Sequence, residues 1–308
     1  MKMKKILSVL ISAAIAAAVL CACRAERNIL PERVTVYLKD SGTIVTEDYA
    51  DFITGCVFGW LPPTCEREAI KSAACALSSL ALRRMADRSG FENSGADITA
   101  ETDGEFPYMT DEQISEEYGS SAERYMKKVR ECTQQAICCA ITYNNEPIGA
   151  VMCRISSGMT DSGALPFLNG VSMKCDESAE GYESTCALTP LAVRKALASV
   201  EGYCGSPHLS GNGAGWFSDP EYADSGTLKS VKFGGVEFTG KQLKDALELR
   251  SAAITVSFEQ DKFLFTCRGW GDNTGMSLSC AQSLALQGME MADILGYFYA
   301  GAELTTIG

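Results

Sequence analysis

The chain has 308 residues, 46% of them hydrophobic, and a formal net charge of −12. That length suits one large domain or two modest lobes, and that hydrophobic share sustains an ordinary packed core. A strongly acidic surface repels polyanions, so nucleic acid is excluded as a natural partner.

Residues 1–23 read as a targeting segment. Lys2, Lys4 and Lys5 precede an uncharged apolar run, Ile6–Cys23, closed by Arg24. A basic start and an apolar stretch mark export, and 18 residues are also just enough to cross a bilayer. Leu20-Cys21-Ala22-Cys23 fits a lipobox with Cys23 as the lipidated residue. A signal peptide, a lipoprotein leader and an uncleaved anchor stay open, and all three put the folded part outside the cytoplasm, with the membrane as a partner of the N-terminal segment. Without the three leader lysines, 24 basic side chains face 39 acidic ones, a net charge of −15.

Residues 24–32 read as a linker and 33–308 as the folded domain. Val34–Leu38 alternates and is β-branched, which predicts a strand. Thr46, Glu47 and Asp48 predict a helix start, with the helix running through Phe58. Pro62 and Pro63 break the chain. Thr64 then offers an N-cap for a helix to Arg88, with Ala69, Ala73, Ala76, Leu77 and Leu80 on its apolar stripe. Residues 89–108 read as a polar loop, and 111–135 as helix. Strands 136–143 and 147–154 flank Asn144-Asn145, a hairpin signal.

Thr189 caps a predicted helix to Leu197. Residues 200–222 read as a long loop. Strands 228–232 and 236–239 surround Gly234-Gly235, a helix spans 241–249, and strands 253–259 and 262–267 lead into a glycine-rich loop. Strands and helices without regular βαβ alternation predict an α+β fold.

Twelve cysteines follow Cys23. In an exported protein this count admits disulfides, yet no Cys-x-x-Cys occurs and Cys138-Cys139 are adjacent. Cys56, Cys75, Cys138, Cys153 and Cys186 sit in apolar runs, where thiols pack as small hydrophobes. Buried thiols, one or two bridges, and a metal site stay open in that order of preference. The single histidine, His208, leaves few routes to a zinc site or a histidine-based triad. No metal or cofactor is expected.

The C-terminal stretch reads Arg268-Gly269-Trp270-Gly271-Asp272-Asn273-Thr274-Gly275-Met276-Ser277, followed by Ala281-Gln282, Tyr297-Phe298-Tyr299 and Gly301-Ala302. It resembles the signature of the stage II sporulation protein D family, also called the amidase-enhancer family, whose loop reads Gly-x-Gly-x-Gly-His-Gly-Val-Gly-Met-Ser-Gln-Tyr-Gly-Ala. Asp272 stands at the histidine position, and Leu278, Ser279 and Cys280 replace Gln-Tyr-Gly. Pro62, Glu68, Ala69, Ile70, Lys71, Ala74 and Ala76 fit the family's second block. There the catalytic glutamate position is Trp60, and Ser78 stands at an arginine position. Ser156-Ser157-Gly158-Met159-Thr160-Asp161 is similar to the family's serine-glycine loop. Cys153 stands where a histidine often precedes that loop. Leu165-Pro166-Phe167-Leu168 and Val171 match a further block. Thr99 and Glu105 stand in the loop that holds metal-binding side chains in many relatives, where Tyr108 is kept. Together the blocks cover roughly residues 33–306.

The resemblance implies a protein acting on bacterial cell-wall peptidoglycan by lytic transglycosylation. A carboxyl group would protonate the glycosidic oxygen and then take a proton from the sugar 6-hydroxyl. An indole cannot do this work. Three readings follow. One is an exported glycan-binding protein with a degraded lytic site. Another is an active lytic transglycosylase using a substitute carboxylate, with Glu66, Asp272 and Asp161 as candidates. The last is a structural component that binds another wall hydrolase or sporulation protein. The expected sugar-contacting residues are Trp60 and Tyr108. Ser156, Ser157, Gly158, Thr160 and Asp161 join them from the serine-glycine loop. The glycine-rich loop adds Arg268, Gly269, Trp270, Gly271, Asp272, Gly275, Met276 and Ser277. Plainer roles compete: Trp270 packing under its loop, Asp272 forming a turn, and Glu68–Lys71 as a surface pair.

Overall fold

A computed structural model describes residues 30–87, 95–200, 209 and 213–307. The leader, with Cys23, and His208 lie outside the described residues. In chain order the first half holds β1 (Arg33–Leu38), β2 (Thr43–Asp48), α1 (Tyr49–Trp60), α2 (Arg67–Asp87) and β3 (Ile98–Ala100). There follow α3 (Asp111–Tyr118), α4 (Ala122–Ala136), β4 (Cys139–Tyr143), β5 (Glu146–Pro147) and β6 (Met152–Cys153). The second half continues with β7 (Glu183–Leu188), α5 (Pro190–Leu197), β8 (Phe217–Tyr222), β9 (Leu228–Phe233), β10 (Val236–Thr239) and α6 (Gly240–Ala246). It ends with β11 (Ile254–Glu259), β12 (Lys262–Arg268), β13 (Met276–Ser277), α7 (Leu278–Leu286), α8 (Met291–Phe298) and β14 (Glu303–Thr306). The fold is α+β. No helix among the described residues is long and apolar enough to cross a membrane.

Two units emerge. The first takes Met1–Gly59, Ala74–Gly149 and Glu303–Gly308, the second Trp60–Ala73 and Ala150–Ala302. In the first unit β1 pairs antiparallel with β2 and parallel with β3, and β4 lies between β5 and β14. Thr46, Glu47 and Asp48 belong to β2 rather than to a helix, because Thr46 pairs with Thr35 and Asp48 with Arg33. The helix start lies three residues on, where the Asp48 carboxylate accepts from the N–H groups of Ala50 and Asp51. The acidic signal does mark a helix start, but the strand ladder sets its position. The 111–135 helix is divided at Gly119, whose φ of 53° takes the chain out of the helical region. Asn144 and Asn145 both have positive φ, as a tight hairpin turn requires. The second arm of that hairpin ends at Pro147, well short of Arg154.

Burial in this unit follows the apolar stripe of α2: Ala74, Leu77 and Ala81 are fully buried. Ser79 is buried too, and its hydroxyl donates to the Cys75 carbonyl while accepting from the Ile141 N–H, so helix and β4 are joined without an orphaned polar group. Cys56 and Cys75 pack as small hydrophobes, and burial pushes both thiols up. Cys138 does not share their environment: it is exposed at the foot of β4.

The second unit contains a β11-β12-β7 sheet and a β10-β9-β8 sheet, both antiparallel. Their inner faces supply one core. Phe263, Phe265 and Cys267 alternate inward along β12, and Phe233 and Phe238 meet them from the other sheet. Phe217 bridges the two, with its ring centroid 5.1 Å from Phe233 and 5.2 Å from Phe263. The expected loop over 200–222 thus contains a strand, β8, whose bulged register around Asp219 masks its alternation. Thr189 and Thr239 cap α5 and α6 through their hydroxyls.

Candidate functional site

The site is built on the segment 151–161 and the glycine-rich loop that runs along it, both in the second unit. β6 and β13 pair in parallel, Met152 with Met276. From there the loop stays in backbone contact: Trp270 N–H donates to Ile155 O at 2.7 Å, and Arg154 N–H donates to Trp270 O at 2.9 Å. Asp161 N–H donates to Asn273 O at 2.7 Å. So close an approach explains the glycines. A Cβ on Gly271 would lie 2.9 Å from the Cys153 Cβ, and one on Gly275 would lie 2.0 Å from the Val151 oxygen.

Trp60, the last residue of α1, and Trp270 meet through Arg154. The Arg154 guanidinium carbon is 5.3 Å from the Trp60 ring centroid and 5.2 Å from that of Trp270. Its Nη1 also donates to the Trp60 carbonyl at 2.7 Å. A second arginine, Arg250, lies 4.5 Å from the Trp270 centroid. Cation–π contacts of this kind contribute about 0.5–1 kcal/mol each when exposed. Trp270 is 40% exposed and Arg268 and Arg250 are exposed. A face of indole and guanidinium therefore opens to solvent on an otherwise acidic protein.

Beneath that face the serine-glycine loop is held by buried polar groups. Ser156 is fully buried, and both its N–H and hydroxyl donate to Asp176 Oδ2, at 2.9 and 2.6 Å. Asp176 is itself fully buried, and its Oδ1 has no hydrogen-bond partner. Ser157 N–H donates to Asn273 Oδ1 at 2.9 Å, while Asn273 Nδ2 donates to Met159 O and Thr227 Oγ1, each at 3.0 Å. Thr160, also buried, accepts from Val171 N–H. Asp161 accepts from the hydroxyls of Ser225 and Thr227. Gly158, with φ +100°, turns the loop, and its N–H donates to Ser156 Oγ. Met276 and Ser277 are buried, and Ser277 caps α7 by accepting from Cys280 N–H.

The remaining sequence-predicted residues lie as follows. Asp272 is exposed and paired with Lys244. Glu66 is exposed just before α2, and its backbone N–H donates to Gln282 Oε1 at 2.7 Å. Tyr108 belongs to the first unit, where its ring lies 5.5 Å from Phe52 and lines a cavity of about 170 Å³ with Asp40, Glu101 and Gln113. Burial pushes its phenol up, and Glu47 adds to the effect. Glu68 and Lys71 form a partly buried pair at 2.7 Å, and Glu68 Oε2 also accepts from Met291 N–H at the start of α8. Burial raises the Glu68 carboxyl, but the Lys71 and Met291 hydrogen bonds outweigh it and hold it below its ordinary value. At the position of the family's second histidine, Cys153 is buried, and its thiol is pushed up by burial and by the charges of Asp176 and Asp272.

Arg154, Arg250, Asp176 and Asn273 are the residues that sequence reasoning missed. An asparagine beside glycines, tolerant of positive φ, is the available signal for Asn273, which has φ 55°. Arg154 and Arg250 carry no local pattern, because the rings they meet lie far along the chain.

No family model matches the chain. It is similar to stage II sporulation protein D of Bacillus subtilis (strain 168), with 24% identity over 282 residues covering 89% of this chain and 79% of that protein. The protein of the same name in Bacillus amyloliquefaciens is 23% identical over the same span and shares. The likeness covers 89% of the chain at 23–24% identity and supports its reading as a divergent member of the stage II sporulation protein D family.

Proposed function

We propose that this chain is an exported protein that binds peptidoglycan glycan strands through the Trp60–Arg154–Trp270 cluster and does not cleave them. The observation that carries the reading is that cluster: an indole at the family's acid position, stacked with a guanidinium against the glycine-rich loop. Indole faces present flat apolar area to sugar rings, and Arg154, Arg250 and Arg268 offer donors to N-acetyl carbonyls and to the carboxylates of wall peptides. The basic leader and the family's cell-wall role support placement outside the cytoplasm.

The same geometry argues against proton transfer. A general acid at neutral pH needs a raised carboxyl pKa. A carboxyl group placed at residue 60 would face Arg154, and a nearby cation lowers a carboxyl pKa. Asp272 and Asp161, the substitute candidates on the loops, are occupied by Lys244 and by the Ser225 and Thr227 hydroxyls. Glu66 is exposed to solvent just before α2, where its backbone N–H is bound to Gln282. The buried residues Ser156, Thr160 and Asn273 shape the loop, and the exposed Trp270 ring with the exposed Arg250 and Arg268, beside half-buried Trp60 and Arg154, meet the ligand.

A sedimentation assay on insoluble peptidoglycan tests this. The leaderless chain is expected in the pellet, and Trp270→Ala is expected to weaken retention about tenfold, a loss of roughly 1.4 kcal/mol. Retention no better than that of an unrelated acidic domain would leave partner binding as the surviving reading.

A further inference from the structure

We infer that Cys175 and Cys280 form a disulfide that clamps the segment under the serine-glycine loop to the helix following the glycine-rich loop. Their sulfurs lie 2.7 Å apart. Non-bonded carbon atoms already stay about 3.5–4.0 Å apart, and sulfur is larger, so two thiols crowd at this distance. A bonded pair sits at about 2.05 Å, so closure asks for a movement well under 1 Å. The approach is imposed by the fold from both sides. Cys175 lies in the short 3₁₀ turn Lys174–Ser178, which Asp176 fixes by accepting twice from Ser156. Cys280 lies in the first turn of α7, fixed by the Ser277 cap.

Cys138 and Cys139 approach only to 4.0 Å and are adjacent in sequence, a poor geometry for bridging. Cys56, Cys75 and Cys153 are buried. Cys175 is half-buried and Cys280 is buried, so the order of events follows from access. The Cys175 thiol loses its proton and attacks the disulfide of an external oxidant of the thiol–disulfide class. One oxidant thiol leaves, and a mixed disulfide forms on Cys175. Cys280 loses its proton and attacks the Cys175 sulfur, and the second oxidant thiol leaves. Two protein thiols are oxidised and one oxidant disulfide is reduced to two thiols. The oxidant is met where structural disulfides persist, outside the cytoplasm.

Exposing the native chain to oxidised glutathione, alkylating free thiols, and digesting without reduction tests the inference by peptide mass. The expected result is a Cys175 peptide joined to a Cys280 peptide, lighter by two hydrogens than the separate pair and lost on adding dithiothreitol. The melting temperature is expected to fall on reduction, and Cys175→Ser is expected to abolish both the linked peptide and that fall. Alkylation of both cysteines, or either one joined elsewhere, would overturn the inference, and peptide mapping of the unmutated chain decides this even if the variant fails to fold. Glycan retention is read separately, so failure of the bridge and failure of the binding reading are distinguishable.

Discussion

Gly275→Ala is expected to lower the free energy of unfolding by about 3–5 kcal/mol, seen as a reduced urea midpoint. Two costs combine. Gly275 has φ +73°, a region that costs an L-residue about 1–2 kcal/mol. The added Cβ would also lie 2.0 Å from the Val151 carbonyl oxygen and 2.8 Å from its carbon. Backbone, not a flexible side chain, stands in the way, so the loop or the 151–156 segment must move. That oxygen accepts from Met276 N–H and from the Tyr299 hydroxyl, and both hydrogen bonds would be disturbed. Gly288→Ala separates the two costs. Gly288 has φ +89°, and a Cβ added there would meet no atom within 4 Å, so only the conformational part, about 1–2 kcal/mol, is expected. Equal losses at the two positions would show that the close approach of the two segments carries no weight.

Asn273→Ala is expected to cost about 3–4 kcal/mol and to loosen the serine-glycine loop. The side chain is buried and serves both segments, accepting from Ser157 N–H and donating to Met159 O and Thr227 Oγ1. Removing it leaves those groups without their partner, at about 1–3 kcal/mol for each buried group that water does not reach. Alanine also fits φ 55° poorly. Asn273→Gly relieves the backbone cost but restores none of the hydrogen bonds, so it should recover about 1 kcal/mol at most. Hydrogen exchange of the Ser157 amide offers a local check: protection should fall sharply in both variants. Unchanged protection would mean that the loop is held by Asp176 alone.

Much of the fold is legible where local chemistry decides structure. Thr189 caps a helix by its own hydroxyl, Asn144-Asn145 and Gly234-Gly235 turn hairpins, and the strand expected over 262–267 is β12. The elements that escape notice are those fixed by distant partners. β7 pairs with β12 from Leu188–Phe263 to Glu183–Arg268, and its sequence Glu-Ser-Thr-Cys-Ala-Leu has little apolar alternation of its own. β14 and β3 are short strands with the same dependence on remote ladders. Thr46–Asp48 carries a helix-start signal that strand pairing overrides.

The site shows the same division. Trp60 and Trp270 stand out because each departs from or punctuates a motif. Arg154, which meets both rings, stands out by nothing local, since its hydrogen bond to Trp60 spans 94 residues. Asp176 likewise meets Ser156, 20 residues away. A hydroxyl in a serine-glycine loop suggests a ligand contact from sequence. Burial of Ser156 and Thr160 instead turns those hydroxyls inward.

The most direct measurement incubates the leaderless chain with purified peptidoglycan glycan strands and reads the products by mass spectrometry. The expected outcome is protein bound to the strands with no 1,6-anhydro ends above the buffer control. Accumulation of anhydro-ended fragments with time and protein concentration would contradict the account, because a proton-transferring group would then be at work beside Trp60.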